Sequence, residues 1–402
     1  MKQIRLTVPT GMQDTLPGEC AAKRALEQTL RRLFAASGYQ EIETPILEYY
    51  RVLDDPTYGY RPEHVWKTFD SRGQILALRP ETTIPAVRLA AGRLKHAPVP
   101  LRLCYVQSAT AFESETVSLL REETQAGIEL MGVPGPEADA EVIALAVESL
   151  RQAGLQGFQI ELGQAGYLSG LLHAAGLTEA QAAQVRELVE RKDLIALRQT
   201  LQGWQVPEGI AAPLLRIPEL YGGLELLDEA AALTDIPESL QALETLRAVI
   251  HLLEVHGCGE ALSIDLGLVN RAGYYAGILF RGQVGELGQP ILSGGRYDGL
   301  PERFGRQLPA TGFAASLKLM LIALERQNTA AFRVPVPELL LGFAPAHLEE
   351  AIRRAEALRR EGHQVALAYG LDREALQQRL QAGEAQEARW LDDAGEEVLP
   401  RG

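Results

Sequence analysis

Ser293-Gly294-Gly295-Arg296-Tyr297-Asp298-Gly299-Leu300 sets three glycines among an arginine, a tyrosine and an aspartate. Alone it reads as a turn whose glycines supply positive φ. Working outward, Asn270-Arg271-Ala272-Gly273-Tyr274-Tyr275-Ala276-Gly277 lies just upstream. Leu78-Arg79-Pro80-Glu81-Thr82-Thr83 stands far upstream, and Gly11-Met12-Gln13-Asp14-Thr15-Leu16-Pro17 opens the series, followed by 38–45. Each taken singly is a short stretch punctuated by glycine or proline. Their meaning lies in their order.

Hydrophobic periodicity sorts the chain between these stretches. Pro17 opens a helix in which Leu26, Leu30, Leu33 and Phe34 recur at helical spacing, and Gly38 closes it. Residues 39–47 read as one strand, and Pro45 places it at an edge or interface. Residues 69–78 form a hairpin turning on Ser71-Arg72-Gly73. Leu101, Leu103 and Tyr105 alternate with Arg102 and Cys104, which predicts a half-buried strand. Ile143, Ala146, Val147 and Leu150 mark a long helix at about 137–153. From about 167 to 256 the chain turns helical and rich in alanine and leucine, with Thr178-Glu179-Ala180-Gln181 as a capping box. Strands return over 262–268, 275–281 and 290–293.

This order argues an α+β fold with a mostly antiparallel sheet, interrupted by a helical insertion, rather than a doubly wound one. Arg333-Val334-Pro335-Val336-Pro337 reads as a linker between a 1–330 core and a small 331–402 α/β domain. In that domain 338–343, a helix through Leu358, and 364–367 form a strand–helix–strand unit.

Composition narrows the class. At 402 residues, 46% hydrophobic and 23% charged, the chain is an ordinary globular protein of two or three domains. It holds no run of about 18 uncharged apolar residues, so no membrane helix is expected. Its first residues lack a secretory apolar stretch. Cys20, Cys104 and Cys258 form no framework and no metal-binding spacing, which fits a reducing cytoplasm. The net charge of −14 disfavours nucleic acid, whose binders gain affinity from basic patches.

Taken in order, the four stretches resemble the signatures of histidyl-tRNA synthetases: the opening segment with motif 1, the LRPEGT turn, RGLDYYTG and GGRYDGL. The resemblance spans residues from about 11 to 325 and implies a class II aminoacyl-tRNA synthetase-like core. Carried over by position, it implies that Glu81 and Thr83 hold the amino group of histidine. It implies that Gln125 and Glu129, within Thr124-Gln125-Ala126-Gly127-Ile128-Glu129, read the imidazole together with Tyr275 and Tyr297. A carboxylate suits a buried ammonium. A carboxylate with phenol hydroxyls can satisfy both ring nitrogens, which apolar contacts cannot discriminate. The alternative is that these groups are scaffold hydrogen bonds inherited with the fold.

The adenylating side departs from that family. The segment 105–113 resembles motif 2, but Ala111 stands where the family grips the α-phosphate of ATP with an arginine. A methyl group offers neither charge nor a fork of N–H donors. The motif 3-like segment 310–319 ends in Lys318-Leu319 in place of Glu-Arg. The family's further catalytic arginine falls at Asn270, and Arg271, one place along, would face the opposite side of a strand. The loop 113–123 sets Glu113, Glu115, Glu122 and Glu123 against Arg121, which should repel ATP and an acceptor stem.

A histidine pocket without an adenylation site resembles the family of ATP phosphoribosyltransferase regulatory subunits. Residues 191–194 and 217–223 of the insertion also look like that family. The resemblance implies a chain with no catalysis of its own, no cofactor and no metal. It implies a short-form catalytic subunit as partner, L-histidine as effector, and a homodimer built on 39–47 inside a hetero-oligomer. The rival readings are an active histidyl-tRNA synthetase, an amino-acid ligase with a rebuilt ATP site, and a scaffold for another partner. The C-terminal segment resembles a shortened anticodon-binding-type domain. From Phe332 onward it carries nine Lys and Arg against thirteen Asp and Glu, which suits no RNA role.

Overall fold

Pro17 occupies the first position of α1 (Pro17–Ala36), where a missing N–H costs nothing, and Leu26, Leu30, Leu33 and Phe34 face inward. Gly38, at φ 82°, takes the chain out of the helix. In this computed structural model the described residues are 7–9, 11–55, 58, 65–110, 122–269, 274–285, 287–328 and 336–401. By contacts the chain divides into Met1–Thr15 with Ala22–Ala331, and Leu16–Ala21 with Phe332–Gly402.

The stretch expected as one strand over 39–47 is two. β1 (Gln40–Glu41) ends before the proline, and β2 (Leu47–Tyr49) begins after it and leads into α2 (Tyr50–Leu53). Pro45 cannot donate to a ladder. In place of a partner strand, the buried Arg79 guanidinium donates to the Thr44 hydroxyl at 3.0 Å and to the Pro45 carbonyl at 3.2 Å. The hairpin follows as expected, with β3 (Lys67–Phe69) and β4 (Ile75–Leu78) antiparallel. Asp70 Oδ1 accepts from the Arg72 and Gln74 amides, each at 2.8 Å, and Gly73 supplies φ 77° at the turn. β2 and β3 flank β4 in a three-stranded sheet.

Next come α3 (Thr83–Gly92), β5 (Leu101–Ala109), β6 (Glu123–Met131), α4 (Pro136–Ala153) and β7 (Phe158–Gln164). β5 is not half-buried. Cys104 and Val106 are buried as well as Leu103 and Tyr105, because both faces of this strand are covered. The insertion runs through α5 (Ala165–Ala174), α6 (Glu179–Glu190), α7 (Leu194–Gly203) and α8 (Glu208–Arg216). Then follow β8 (Tyr221–Gly222), α9 (Leu226–Ala232) and α10 (Pro237–Val255). Thr178 and Gln181 form the expected capping box at α6.

β9 (Leu262–Asp265) stops short of 268, because Asp265 Oδ1 takes the Gly267 amide at 2.9 Å and turns the chain. β10 (Ile278–Val284) and β11 (Leu292–Arg296) begin two or three residues later than the periodicity suggested. α11 (Gly299–Arg303), β12 (Ala310–Ser316) and α12 (Leu317–Arg326) complete the first unit. Among the described residues its sheet has nine strands, in the order β1-β5-β6-β12-β11-β10-β7-β9-β8. Among the described residues only β1–β5 and β7–β9 are parallel pairs in it.

The second unit is a four-stranded sheet in the order β14-β13-β15-β16. It is built from β13 (Leu339–Phe343), α13 (Leu348–Arg360), β14 (Val365–Leu367), α14 (Arg373–Gln381), β15 (Glu387–Asp392) and β16 (Gly395–Val398). β13 runs parallel to both β14 and β15. Among the described residues no helix is long and apolar enough to cross a membrane.

Candidate functional site

Strand register places the site on one face of the large sheet. Cross-strand partners Leu103, Glu129, Gly312 and Gly295 form a row across β5, β6, β12 and β11, and Tyr105 and Gly127 pair in the next row on the same face. The glycines make the room. A Cβ on Gly312 would lie 2.0 Å from Glu129 Oε2, and one on Gly127 would lie 2.5 Å from the Tyr105 hydroxyl. A Cβ on Gly295 would meet the Tyr275 ring at 2.8 Å. Glycines in strand interiors cost stability, and here each leaves the volume that a polar or aromatic side chain fills.

At the centre the Glu129 side chain is 0% exposed. Tyr105 donates to its Oε1 at 3.2 Å, and Tyr297 donates a short hydrogen bond to its Oε2. The Thr83 hydroxyl lies against both Glu129 and the Tyr105 phenol. Burial pushes the Glu129 carboxyl up to about 8; the Tyr297, Thr83 and Tyr105 hydroxyls partly offset this, and the charge of Glu81 adds to it. Tyr105 and Tyr297 are held well above the ordinary phenol range by burial and by the neighbouring carboxyl. Tyr275 is partly buried beside them, its ring 6.2 Å from that of Tyr297 and 4.7 Å from that of Tyr274.

Of the six residues expected to form the site, Thr83, Glu129, Tyr275 and Tyr297 come together, and Glu81 borders them. Glu81 also caps α3: its two oxygens accept from the Thr83 and Ile84 amides at 2.7 and 2.8 Å. Gln125 stands apart. It accepts from Thr82 at 3.3 Å and donates to Glu123 at 2.9 Å, four residues and roughly 13 Å along β6 from Glu129. Gln125 and Glu129 are too far apart to hold one five-membered ring. Tyr105 is the site residue that motif reading missed. Its alternation marked it as core, and only the pairing of β5 with β6 puts its hydroxyl on Glu129.

Other signature residues serve the scaffold. Arg296 points away from the site face; its guanidinium donates to the buried Asp139 of α4 at 3.0 Å and to the Gly135 carbonyl at 2.9 Å. Leu319 lies in the first turn of α12, capped by Ser316, so no guanidinium projects from that position. Beside it Lys318 reaches Gln13 at 2.8 Å. Ala111, Asn270, Arg271 and the loop through Arg121 lie outside the described residues, as does most of the 333–337 linker.

A largely antiparallel nine-stranded sheet carrying these signatures is a class II synthetase-like core, and residues 11–320 match the histidyl-tRNA synthetase family. A histidyl-tRNA synthetase from Nostoc shares the fold, with a TM-score of 0.80 over 98% of this chain and 93% of that one at 18% identity. The ATP phosphoribosyltransferase regulatory subunit of Acetivibrio thermocellus is 38% identical over 362 residues, 90% of this chain and 86% of that protein. That of Caldanaerobacter subterraneus is 37% identical over 358 residues, 89% of this chain and 93% of its own length. A solved structure from Bacillus halodurans, described as an ATP phosphoribosyltransferase regulatory subunit/histidyl-tRNA synthetase, gives a TM-score of 0.84 at 30% identity. It covers 97% of this chain and 99% of that one. The chain belongs to the family of ATP phosphoribosyltransferase regulatory subunits.

Proposed function

We propose that this chain is a regulatory subunit without catalysis of its own, acting on the first step of histidine biosynthesis. Its partner is a short-form ATP phosphoribosyltransferase catalytic subunit, which joins ATP and phosphoribosyl pyrophosphate. Two copies pair through the 39–47 region inside a cytoplasmic hetero-oligomer, and L-histidine is the effector. The observation that carries the effector reading is the Glu129 carboxyl, buried on the sheet face that carries the signature residues and held by the Tyr105 and Tyr297 hydroxyls. Glu81 and Thr83 serve the amino end of the ligand, and Glu129, Tyr275 and Tyr297, joined by Tyr105, serve the ring; Gln125, expected at the ring, is assigned to the amino end because it stands roughly 13 Å along β6 from Glu129. Residues 1–330 form the synthetase-like core and 331–402 a separate domain of anticodon-binding type, adapted to a role other than RNA by its acidic balance.

The losses on the adenylating side support the absence of catalysis. Ala111, Asn270 and Leu319 stand where the resemblance calls for arginines, and an acidic loop follows Ala111. Removing one donor to transition-state charge typically costs about 2.7–4 kcal/mol, so three such losses erase turnover. The test is phosphoribosyl-ATP formation by the catalytic subunit with and without this chain, each with and without histidine. Activation by the chain and inhibition by histidine are expected. A catalytic subunit that runs equally fast alone would overturn the regulatory reading.

A further inference from the structure

We infer that the pocket takes an aromatic ring bearing an sp² nitrogen, neutral on arrival, through one proton that Glu129 already carries. That proton ends shared between the carboxyl and the ring nitrogen. This rests on the effector reading above and adds to it the protonation state that the pocket selects.

Charge and geometry carry the inference. Four residues present groups to the Glu129 carboxyl. Tyr105 comes from β5, Tyr297 follows β11, Thr83 lies in α3, and Glu81 immediately precedes that helix. Tyr275 precedes β10, and the Tyr39 hydroxyl, also within electrostatic reach, is engaged with Glu141 at 2.9 Å. These are hydroxyls and one further carboxylate. Among the described residues no ammonium, guanidinium or imidazole donates to either Glu129 oxygen. A carboxyl sealed from water with only neutral donors and a like charge beside it is held as the acid, and its raised pKa agrees.

The floor of the proposed pocket is therefore neutral. A neutral imidazole meeting a carboxylic acid accepts its proton or a strong hydrogen bond from it. The proton moves from oxygen toward nitrogen, the carboxyl becomes the carboxylate of a neutral pair, and nothing is exchanged with solvent. An imidazolium would bring a second proton that must leave. An ionised Glu129 would have to take one up.

Indole offers only an N–H and benzene no acceptor at all, so tryptophan and phenylalanine lack the nitrogen that this acid needs. Access also requires rearrangement. Glu129 has no exposed surface, so a ring reaches it only when a phenol hydroxyl, Tyr297 on Oε2 or Tyr105 on Oε1, swings away.

The test is calorimetry of histidine binding to the full chain in buffers of differing ionisation enthalpy, at about pH 7 and about pH 9, for wild type and Glu129→Gln. Between the ordinary imidazole pKa of about 6.5 and that of Glu129, wild type should exchange almost no protons. At about pH 9 wild type should take up about one proton more than Glu129→Gln. Release of about one proton at pH 7, or equal counts for the two proteins at pH 9, overturns the inference.

Should Glu129→Gln fail to bind or fold, the ¹⁵N shifts of ring-labelled histidine bound to wild type at about pH 9 decide. A proton held on or shared with both ring nitrogens supports the inference, and one bare nitrogen defeats it. No histidine heat in wild type at either pH sinks instead the effector reading on which the inference rests.

Discussion

Gly312 shows how tightly the site is specified at single residues. A Cβ there would fall 2.0 Å from Glu129 Oε2 and 2.4 Å from the Ile128 carbonyl, and neither neighbour is the free end of a long side chain. Gly312→Ala should cost about 1–3 kcal/mol of stability in urea unfolding through overpacking. It should also abolish the histidine signal in calorimetry, because the carboxyl must leave its place. Glu129 itself predicts a pH dependence. An acid whose pKa is raised from 4.5 to about 8 by folding stabilises the fold fully below about pH 4.5, and that contribution is lost as pH rises through about 8. Wild type should therefore lose on the order of a few kcal/mol relative to Glu129→Gln between those limits, read from urea unfolding across pH. Parallel profiles would show that Glu129 is ionised in the folded chain. Glu129, Thr83 and Tyr297 were legible because each sits inside a recognisable signature. Tyr105 opens the motif 2-like segment but was read only as core, because its place beside Glu129 depends on a strand pairing and on the space left by Gly127.

Elements are held together by a few buried polar contacts that periodicity does not announce. Arg296 joins β11 to α4 through Asp139, which is 2% exposed. Arg296→Met should cost about 3–5 kcal/mol, because it leaves a buried carboxylate without its cation. Arg296→Met with Asp139→Leu should recover much of that loss, which a double-mutant cycle would read. At the α6 terminus the capping box predicts a smaller, local effect: Thr178→Ala should cost about 1 kcal/mol and raise amide exchange in the first turn of α6. Such helix ends were plain in the sequence, since capping is written in four consecutive residues. The break between β1 and β2 was not. Pro45 signalled an edge, yet what ends the strand is Arg79, 34 residues later, donating to the Pro45 carbonyl and tying it to the end of β5 through the Ser108 carbonyl at 2.7 Å.

At the scale of the molecule, synthetase-like signatures and an acidic surface are reconciled by regulation. A net charge of −14 opposes tRNA, while the buried Glu129 site is proposed to take a small polar effector. Histidine can govern a partner only if it binds one arrangement of the complex better than another, a coupling typically about 1–3 kcal/mol, or roughly 5- to 150-fold in affinity. Reciprocity follows: substrates that favour the active arrangement must weaken histidine binding by the same factor. Glu81 is the position at which to test this, with one complication that the fold introduces. Its carboxylate caps α3 as well as being proposed to hold the effector, so Glu81→Ala removes a helix cap worth about 1 kcal/mol along with the charge. Glu81→Gln keeps an oxygen for the cap while removing the negative charge that would hold the effector's ammonium. In assays of phosphoribosyl-ATP formation by the two-subunit complex, Glu81→Gln should raise the histidine concentration for half-inhibition at least about tenfold, about 1.4 kcal/mol of lost binding. Inhibition at the wild-type concentration would mean that feedback acts through a site other than the one around Glu129.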